Sequence, residues 1–176
     1  GEPITSEFIH DISQEVGVNY HYTFWCIFHF VVRQFSVRWL CQQTIIPVEI
    51  YGRYWEDDPV VAPFYLGPIE HGSRVAEIYN SAKYALVSHP FEVMSQRLAE
   101  AGACGAIPIV YDCRWSATKP HWEDECLFYK THDEFLACLT TEHETYPERF
   151  MEYFSFKKFA ATILELVRNE TSPSHS

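Results

Sequence analysis

The 176-residue sequence is short of positive charge, and this shortage limits the partners that it can bind through bulk electrostatics. It holds 13 Lys and Arg residues against 24 Asp and Glu residues, which gives a formal net charge of −11. The basic residues form no run. Nucleic acid and anionic membrane surfaces repel a chain of this charge, so neither is an expected partner. A local basic cluster can still bind a phosphate group.

The sequence also lacks a long apolar run and paired cysteines, and we expect no signal peptide. Its longest apolar run, residues 22–32, is shorter than the roughly 20 residues of a membrane span, and residues 1–15 are polar and acidic. None of the six cysteines forms a C-x-x-C pair, and several lie in apolar runs. This is typical of buried free thiols. We therefore expect no membrane span and a reducing, cytoplasmic location.

Apolar runs alternate along the chain with segments of helical period. Continuous apolar runs at 84–87 and 107–111 are typical of strands buried on both faces, and shorter strands are expected at 47–51, 60–66 and 126–129. Helices are expected at 23–43, covered on most sides, at 73–83 and 93–103, from a capping box at Thr131, and at 148–168 with a break near Ser155. This order predicts an α/β fold with a Rossmann-like parallel sheet flanked by helices.

The length and composition predict one folded domain. Hydrophobic residues make up 47% of the chain and aromatic residues 16%, enough for a well-filled core. We expect residues 21–170 to form this domain, residues 1–20 to be an N-terminal extension and residues 171–176 to be a tail. In such a sheet, ligands bind at the carboxyl ends of the strands, which places the expected site near residues 52–53, 67–68, 88–90 and 112.

Two glutamates stand eight residues apart, Glu92 immediately before the expected helix at 93–103 and Glu100 within it. Eight helical residues rise about 12 Å, close to the length of a sugar–diphosphate–ribose unit. One carboxylate could hold sugar hydroxyls and the other ribose hydroxyls, with the helix N-terminus favouring the diphosphate between them. Glutamates at this spacing are also common on helices that bind nothing, so the spacing alone leaves both interpretations open.

The surroundings of the two glutamates resemble a known family. The pattern E-x7-E followed by AGACGAIPIVYD resembles the donor-binding, C-terminal half of the group 1 glycosyltransferases, which have the GT-B fold. The upstream segments GRYWE, YLGPI and VAEIYNSAKYALVSH are similar to that family in order and spacing. The resemblance covers residues 47–112 well, the helical C-terminal part loosely, and residues 1–20 not at all. It implies transfer of a sugar from a nucleotide-diphosphate sugar to an unknown acceptor. We expect no metal or other cofactor, because a helix N-terminus and arginines take the place of an acidic metal site.

The resemblance also implies roles for individual residues. Glu92 would contact the donor sugar as the catalytic residue, and Glu100 would bind the ribose hydroxyls. Backbone N–H groups of Ser95 and Gln96 would bind the diphosphate. The turn formed by Gly67, Pro68 and Ile69 would lie beside the base.

Three positions depart from the family pattern. Ser95 stands where the family commonly has glycine, and His89 stands where it has serine. The Arg and Lys that usually neutralise the diphosphate have no counterpart in the matched segment, and Arg53 and Arg97 are the available substitutes.

The acceptor side of the expected reaction is missing from the pattern. GT-B enzymes bind the acceptor in a separate N-terminal domain, for which these residues leave no room. We therefore expect such a domain in the same polypeptide or on a partner, and little transfer by the 176 residues alone. The alternative is a non-catalytic nucleotide or sugar-nucleotide binding module, or a structural domain with a decayed site.

Other chemistry has weaker support. The segments HWEDEC (121–126) and HDE (132–134) contain metal-ligand residue types without H-E-x-x-H or C-x-x-C spacing. The segment GACGA lacks the G-x-G-x-x-G spacing and follows a helix, which argues against an NAD-type site. Ser88, His89 and Asp112 could form a hydrolase triad, but Ser88 is not in a G-x-S-x-G elbow.

Overall fold

The computed structural model describes residues 4–91, 95–114 and 123–171. Its helices are α1 (Ser6–Glu15), α2 (Tyr20–Gln42), α3 (Ser73–Ser81), α4 (Gln96–Ala103), α5 (His132–Thr140), α6 (Pro147–Phe154) and α7 (Phe156–Thr171). Its strands are β1 (Tyr84–Val87), β2 (Ile107–Tyr111) and β3 (Leu127–Tyr129). The strands form one parallel sheet in the order β1-β2-β3, with Tyr84 opposite Ile107 and Ile109 opposite Leu127. The predicted α/β fold with a Rossmann-like parallel sheet is confirmed.

Helices cover the sheet on both faces. Successive side chains of a strand point to opposite faces, and in β2 both sets are buried. Val110 packs with Leu98 of α4 and Phe150 of α6, whereas its neighbour Ile109 packs with Phe135 of α5. The run at 107–111 is therefore continuously apolar because helices cover both faces of this central strand.

Local capping signals set the ends of the later helices. Thr131 Oγ1 accepts a hydrogen bond from the Glu134 N–H, and Glu134 Oε2 accepts one from the Thr131 N–H, so the predicted capping box is confirmed. The predicted break near Ser155 is also confirmed, because α6 ends at Phe154 and α7 begins at Phe156. Thr141, with extended backbone, ends α5.

The expected strands at 47–51 and 60–66 are wrong. The two segments lie side by side, but only one parallel bridge joins them, between Ile50 and Tyr65. Residues Ala62–Phe64 form a single 3₁₀ turn with Pro63 in its first positions. Proline fixes φ near −65° and removes a backbone donor, which favours this turn over a regular strand.

Helix α2 is less covered than its sequence suggests. Its buried residues lie along one stripe: Thr23, Val32, Ser36, Val37 and Cys41. Tyr22, Trp25, Phe30 and Phe35 are exposed, Phe30 by 62%. The expectation of a helix covered on most sides is therefore wrong, because α2 presents only one side to the sheet and the other side carries aromatic residues as well. No helix in the described ranges is both long enough and apolar enough to span a membrane.

Candidate functional site

A cavity of about 1010 Å³ runs along β1, an edge strand of the described sheet, and reaches the residues that follow its carboxyl end. It lies between α2, α3 and the first turn of α4. Its polar and aromatic lining near the strand end consists of Arg33, Trp55, Tyr79, Ser88, His89, Ser95, Gln96, Arg97 and Glu100. The cavity thus occupies the position that ligands take in open parallel sheets.

The structure brings together most, but not all, of the sequence-predicted site residues. The predicted residues that line the cavity are Ile69, His89, Ser95, Gln96, Arg97 and Glu100. Arg53 is exposed, and neither Arg53, Gly67 nor Pro68 lines the cavity. Gly67 accepts a backbone hydrogen bond at 3.1 Å from Gly52, which does line it. Glu92, the predicted catalytic residue, lies outside the described residues.

Helix α4 begins later than the sequence indicates. Ser95 has an extended backbone, with φ −127° and ψ 153°, and its hydroxyl accepts a hydrogen bond from the Leu98 N–H. The helix starts at Gln96, so the distance of about 12 Å, which assumed one continuous helix between Glu92 and Glu100, does not apply. The Gln96 and Arg97 N–H groups have no acceptor among the described residues, as expected for the first turn of a helix.

Four basic side chains gather beside this helix start, and we call them the basic cluster: His29, Arg33, His89 and Arg97. Arg33 lies with its guanidinium carbon 5.0 Å from the centre of the Trp55 ring. Burial, followed by the charge of Arg97, lowers the pKa of Arg33. Neither arginine has a carboxylate partner among the described residues. Two guanidinium groups without a carboxylate partner in the described part of the chain, next to a helix N-terminus, form an arrangement that favours an anion.

The two histidines of the cluster contact each other. His29 Nε2 and His89 Nδ1 are 3.1 Å apart, so one ring donates a hydrogen bond to the other. Burial lowers the pKa of both imidazoles, and the charges of Arg33 and Arg97 lower them further. The rings therefore favour the neutral form unless a negative charge lies close by.

Sequence reasoning missed His29 and Arg33. Both lie on α2, which precedes the segment that carries the family resemblance. A basic residue inside a strongly apolar helix was the available signal. Packing of α2 against the sheet brings this helix to the cavity, and no local pattern records that packing.

Glu100 lies one turn beyond the basic cluster on the same helix. Gln96 Nε2 donates a hydrogen bond of 2.7 Å to Glu100 Oε1, and both residues line the cavity. Gln96 and Glu100 are four helical residues apart, which is a rise of about 6 Å. The Glu100 carboxylate therefore lies beyond the N-terminus of α4 by roughly the length of one small chemical group.

The geometry argues against the other chemistry that the sequence raised. Asp112 accepts hydrogen bonds from Arg114 at 2.8 and 2.9 Å, while His89 Nδ1 faces His29, so no Ser88–His89–Asp112 triad is assembled. Glu134 of the HDE segment belongs to a helix cap. Within the described ranges, no three His, Cys, Asp or Glu residues form a cluster that could hold a metal ion. His121 of the HWEDEC segment lies outside those ranges.

A comparison with known protein families found one match. Residues 33–175 match the model of a protein family described as glycosyl transferase-like. Searches of curated proteins and of solved structures found no match. The family match covers most of the chain, including the sheet, the cavity lining from Arg33 onward and the C-terminal helices. The chain therefore belongs to the glycosyl transferase-like family, related to the group 1 glycosyltransferases, and has the α/β fold of the GT-B C-terminal domain.

Proposed function

We propose that residues 21–170 form the donor-binding domain of a glycosyltransferase, which holds a nucleotide-diphosphate sugar in the cavity beside β1. One observation carries this proposal. Arg33 and Arg97 line the cavity at the start of α4 and have no carboxylate partner among the described residues. A diphosphate supplies the missing negative charge, and arginine binds phosphate oxygens through paired N–H groups.

The rest of the cavity suggests how the donor lies. The diphosphate sits at the basic cluster and at the Gln96 and Arg97 N–H groups. Glu100 then accepts hydrogen bonds from the ribose hydroxyls, and the base lies toward Gly52 and Ile69. The sugar extends in the opposite direction, where Glu92 is proposed to contact it as the catalytic residue.

The arginines also replace a metal ion in this arrangement. Diphosphate leaving groups need positive charge to stabilise them as the glycosidic bond breaks. Arg33, Arg97 and the N-terminus of α4 supply this charge, so we propose metal-independent binding. The acceptor is proposed to come from a facing domain, in the same polypeptide or on a partner, because orientation of both reactants provides much of the rate.

Calorimetry with UDP, GDP and ADP, each with and without a chelator, tests the proposal. We expect one of them to bind equally well in both conditions. Arg33→Met and Arg97→Met should each weaken that binding roughly 10- to 100-fold, the value of a charge-assisted hydrogen bond. Arg38→Met is the matched control, since Arg38 lies on the same helix but pairs with Asp58 outside the cavity lining. Failure of all three nucleotides to bind the unmodified chain would refute the proposal.

A further inference from the structure

The proposed function places the diphosphate at the basic cluster but gives no separate role to the His29–His89 pair within it. The ring centres are 5.1 Å apart, and Trp25 stacks on His29 at 5.4 Å with an interplanar angle of 26°. His89 lines the cavity at the carboxyl end of β1. The pair therefore lies between an aromatic ring on one side and the anion-favouring cavity on the other.

We propose that this imidazole pair takes up one proton from solvent when the diphosphate of a sugar nucleotide binds, and so becomes the third positive charge of the site. The inference rests on the proposed function and adds to it that binding is coupled to protonation. It assigns to His29, which no motif of the sequence singled out, the role of holding His89 and sharing its proton.

Without a bound anion the pair is neutral for identifiable reasons. Arg33 faces it from α2, and Arg97 faces it from α4. Among the described residues these are the charged groups that act on both rings, and each disfavours a further positive charge. Burial acts in the same direction, because a desolvated imidazolium loses hydration.

A bound diphosphate reverses this balance. Its two negative charges offset the charges of Arg33 and Arg97 and lie close enough to attract a third cation. The Trp25 face further favours the protonated form of His29 through a cation–π contact. Because the effect is a linkage, protonation strengthens anion binding by the same factor by which the anion strengthens protonation.

The geometry limits the uptake to one proton. In the neutral pair, one ring donates its N–H across the 3.1 Å gap, and an added proton goes to an outer nitrogen of the pair, which leaves that hydrogen bond intact. A second proton would place N–H groups of both rings in the same gap, facing each other. Two nitrogens at this distance could also hold a metal ion, but two neighbouring arginines repel a cation.

Calorimetry in buffers of different ionisation enthalpy measures the proton directly. The probe is whichever of UDP-glucose, GDP-mannose and ADP-glucose binds most tightly, since a diphosphate diester does not itself titrate near neutral pH. We expect uptake of up to one proton per bound ligand and an affinity that falls up to about tenfold per pH unit between pH 6 and 8. His29→Gln and His89→Gln should abolish the uptake, while His132→Gln, whose ring packs on Trp39 away from the cavity, should keep it.

A second measurement keeps the inference testable if the histidine variants do not fold. Imidazole nitrogen NMR of the unmodified chain should show one ring of the pair changing from neutral to protonated when the probe is added at pH 7. Binding without proton uptake, or uptake of two protons, would overturn this inference and leave the proposed function standing. Absence of binding by all three sugar nucleotides would instead overturn the proposed function itself.

Discussion

Helix α4 has two faces of opposite character. Its inner face carries Leu98, Ala101 and Gly102, all buried. A Cβ atom added to Gly102 would lie 2.5 Å from ring atoms of Phe150, so α6 packs directly on the α4 backbone. Its outer face carries Gln96, Arg97 and Glu100, which line the cavity.

The difference separates stability from binding within a single helix. On the inner face, the space between α4 and α6 limits the size of the residue at position 102. On the outer face, the side chains matter for their charge and because they are long enough to reach the cavity. Substitutions on the inner face should therefore change the free energy of unfolding, whereas substitutions on the outer face should change ligand affinity and leave the fold intact.

The largest loss of stability is expected at Gly102. Gly102→Ala forces a methyl group into the fully buried Phe150 ring, and we expect it to cost about 3 kcal/mol of unfolding free energy. Urea unfolding followed by circular dichroism measures this. In a Phe150→Leu background the cost should shrink, because the smaller side chain can yield. A gain in stability from the Gly102→Ala substitution, as intrinsic helix propensity alone would give, would contradict the close packing.

Stability should also depend on the residue that anchors the start of α6. Glu125 is buried, pairs with Arg149 and accepts a hydrogen bond of 2.9 Å from the Tyr146 N–H. Arg149→Leu leaves the buried carboxylate without its cation and should cost about 2 kcal/mol, reduced from the full buried-pair value because Arg149 is half exposed. Glu125→Gln keeps an acceptor for Tyr146 and should cost less. The same urea unfolding assay compares the two variants. A larger loss of unfolding free energy for Glu125→Gln than for Arg149→Leu would refute this asymmetry.

The packed side of the molecule was the part that sequence could predict. Strands β1 and β2 were predicted at their observed residues, because continuous apolar runs record burial locally. The cap at Thr131 and the break at Ser155 were also local signals. Of the small residues after Glu100, Ala101 packs with Ala85 of β1, but Gly102 accommodates Phe150, a partner that no nearby residue indicates.

The cavity side was harder to predict because its parts come from distant segments. Arg33 reaches the start of α4 only because α2 packs on the sheet, and sequence spacing carries no record of that contact. The bridge between Ile50 and Tyr65 likewise depends on two irregular segments meeting in space. What the family resemblance supplied was the α4 segment itself, from which Ser95, Gln96, Arg97 and Glu100 were named.

On the outer face, the expected effect is on affinity. Glu100→Gln should weaken binding of the preferred nucleoside diphosphate about tenfold, because a neutral amide replaces the carboxylate proposed to accept from the ribose hydroxyls. Glu92→Gln should weaken binding of the same ligand less, because a nucleoside diphosphate lacks the sugar that Glu92 is proposed to contact. Calorimetry compares the two variants, with unfolding midpoints as the control for folding. Equal, negligible losses would contradict the placement of Glu100 at the ribose.

The smallest effect is expected in the pH dependence of stability, where charged groups on the cavity side change the free energy of unfolding. Burial and the charges of Arg33 and Arg97 lower the pKa of both His29 and His89 in the folded chain, whereas the unfolded chain has the usual imidazole pKa of about 6.5. As pH falls below about 6.5, the unfolded chain binds protons that the folded chain does not, so the free energy of unfolding decreases. Above that pH both states are neutral at these groups and the contribution is constant.

Urea midpoints measured from pH 8 to pH 5 should therefore fall on the acid side in the unmodified chain. The fall should be shallower in the His29→Gln, His89→Gln double variant. His132→Gln, outside the cavity, serves as the control and should retain the full slope. A saturating sugar nucleotide that binds the folded chain should also flatten the slope, because the bound anion raises the pKa of the pair. Identical pH profiles for the double variant and the unmodified chain would show that the basic cluster does not hold these imidazoles neutral. The positive charges beside the outer face of α4 would then interact less strongly than their geometry indicates.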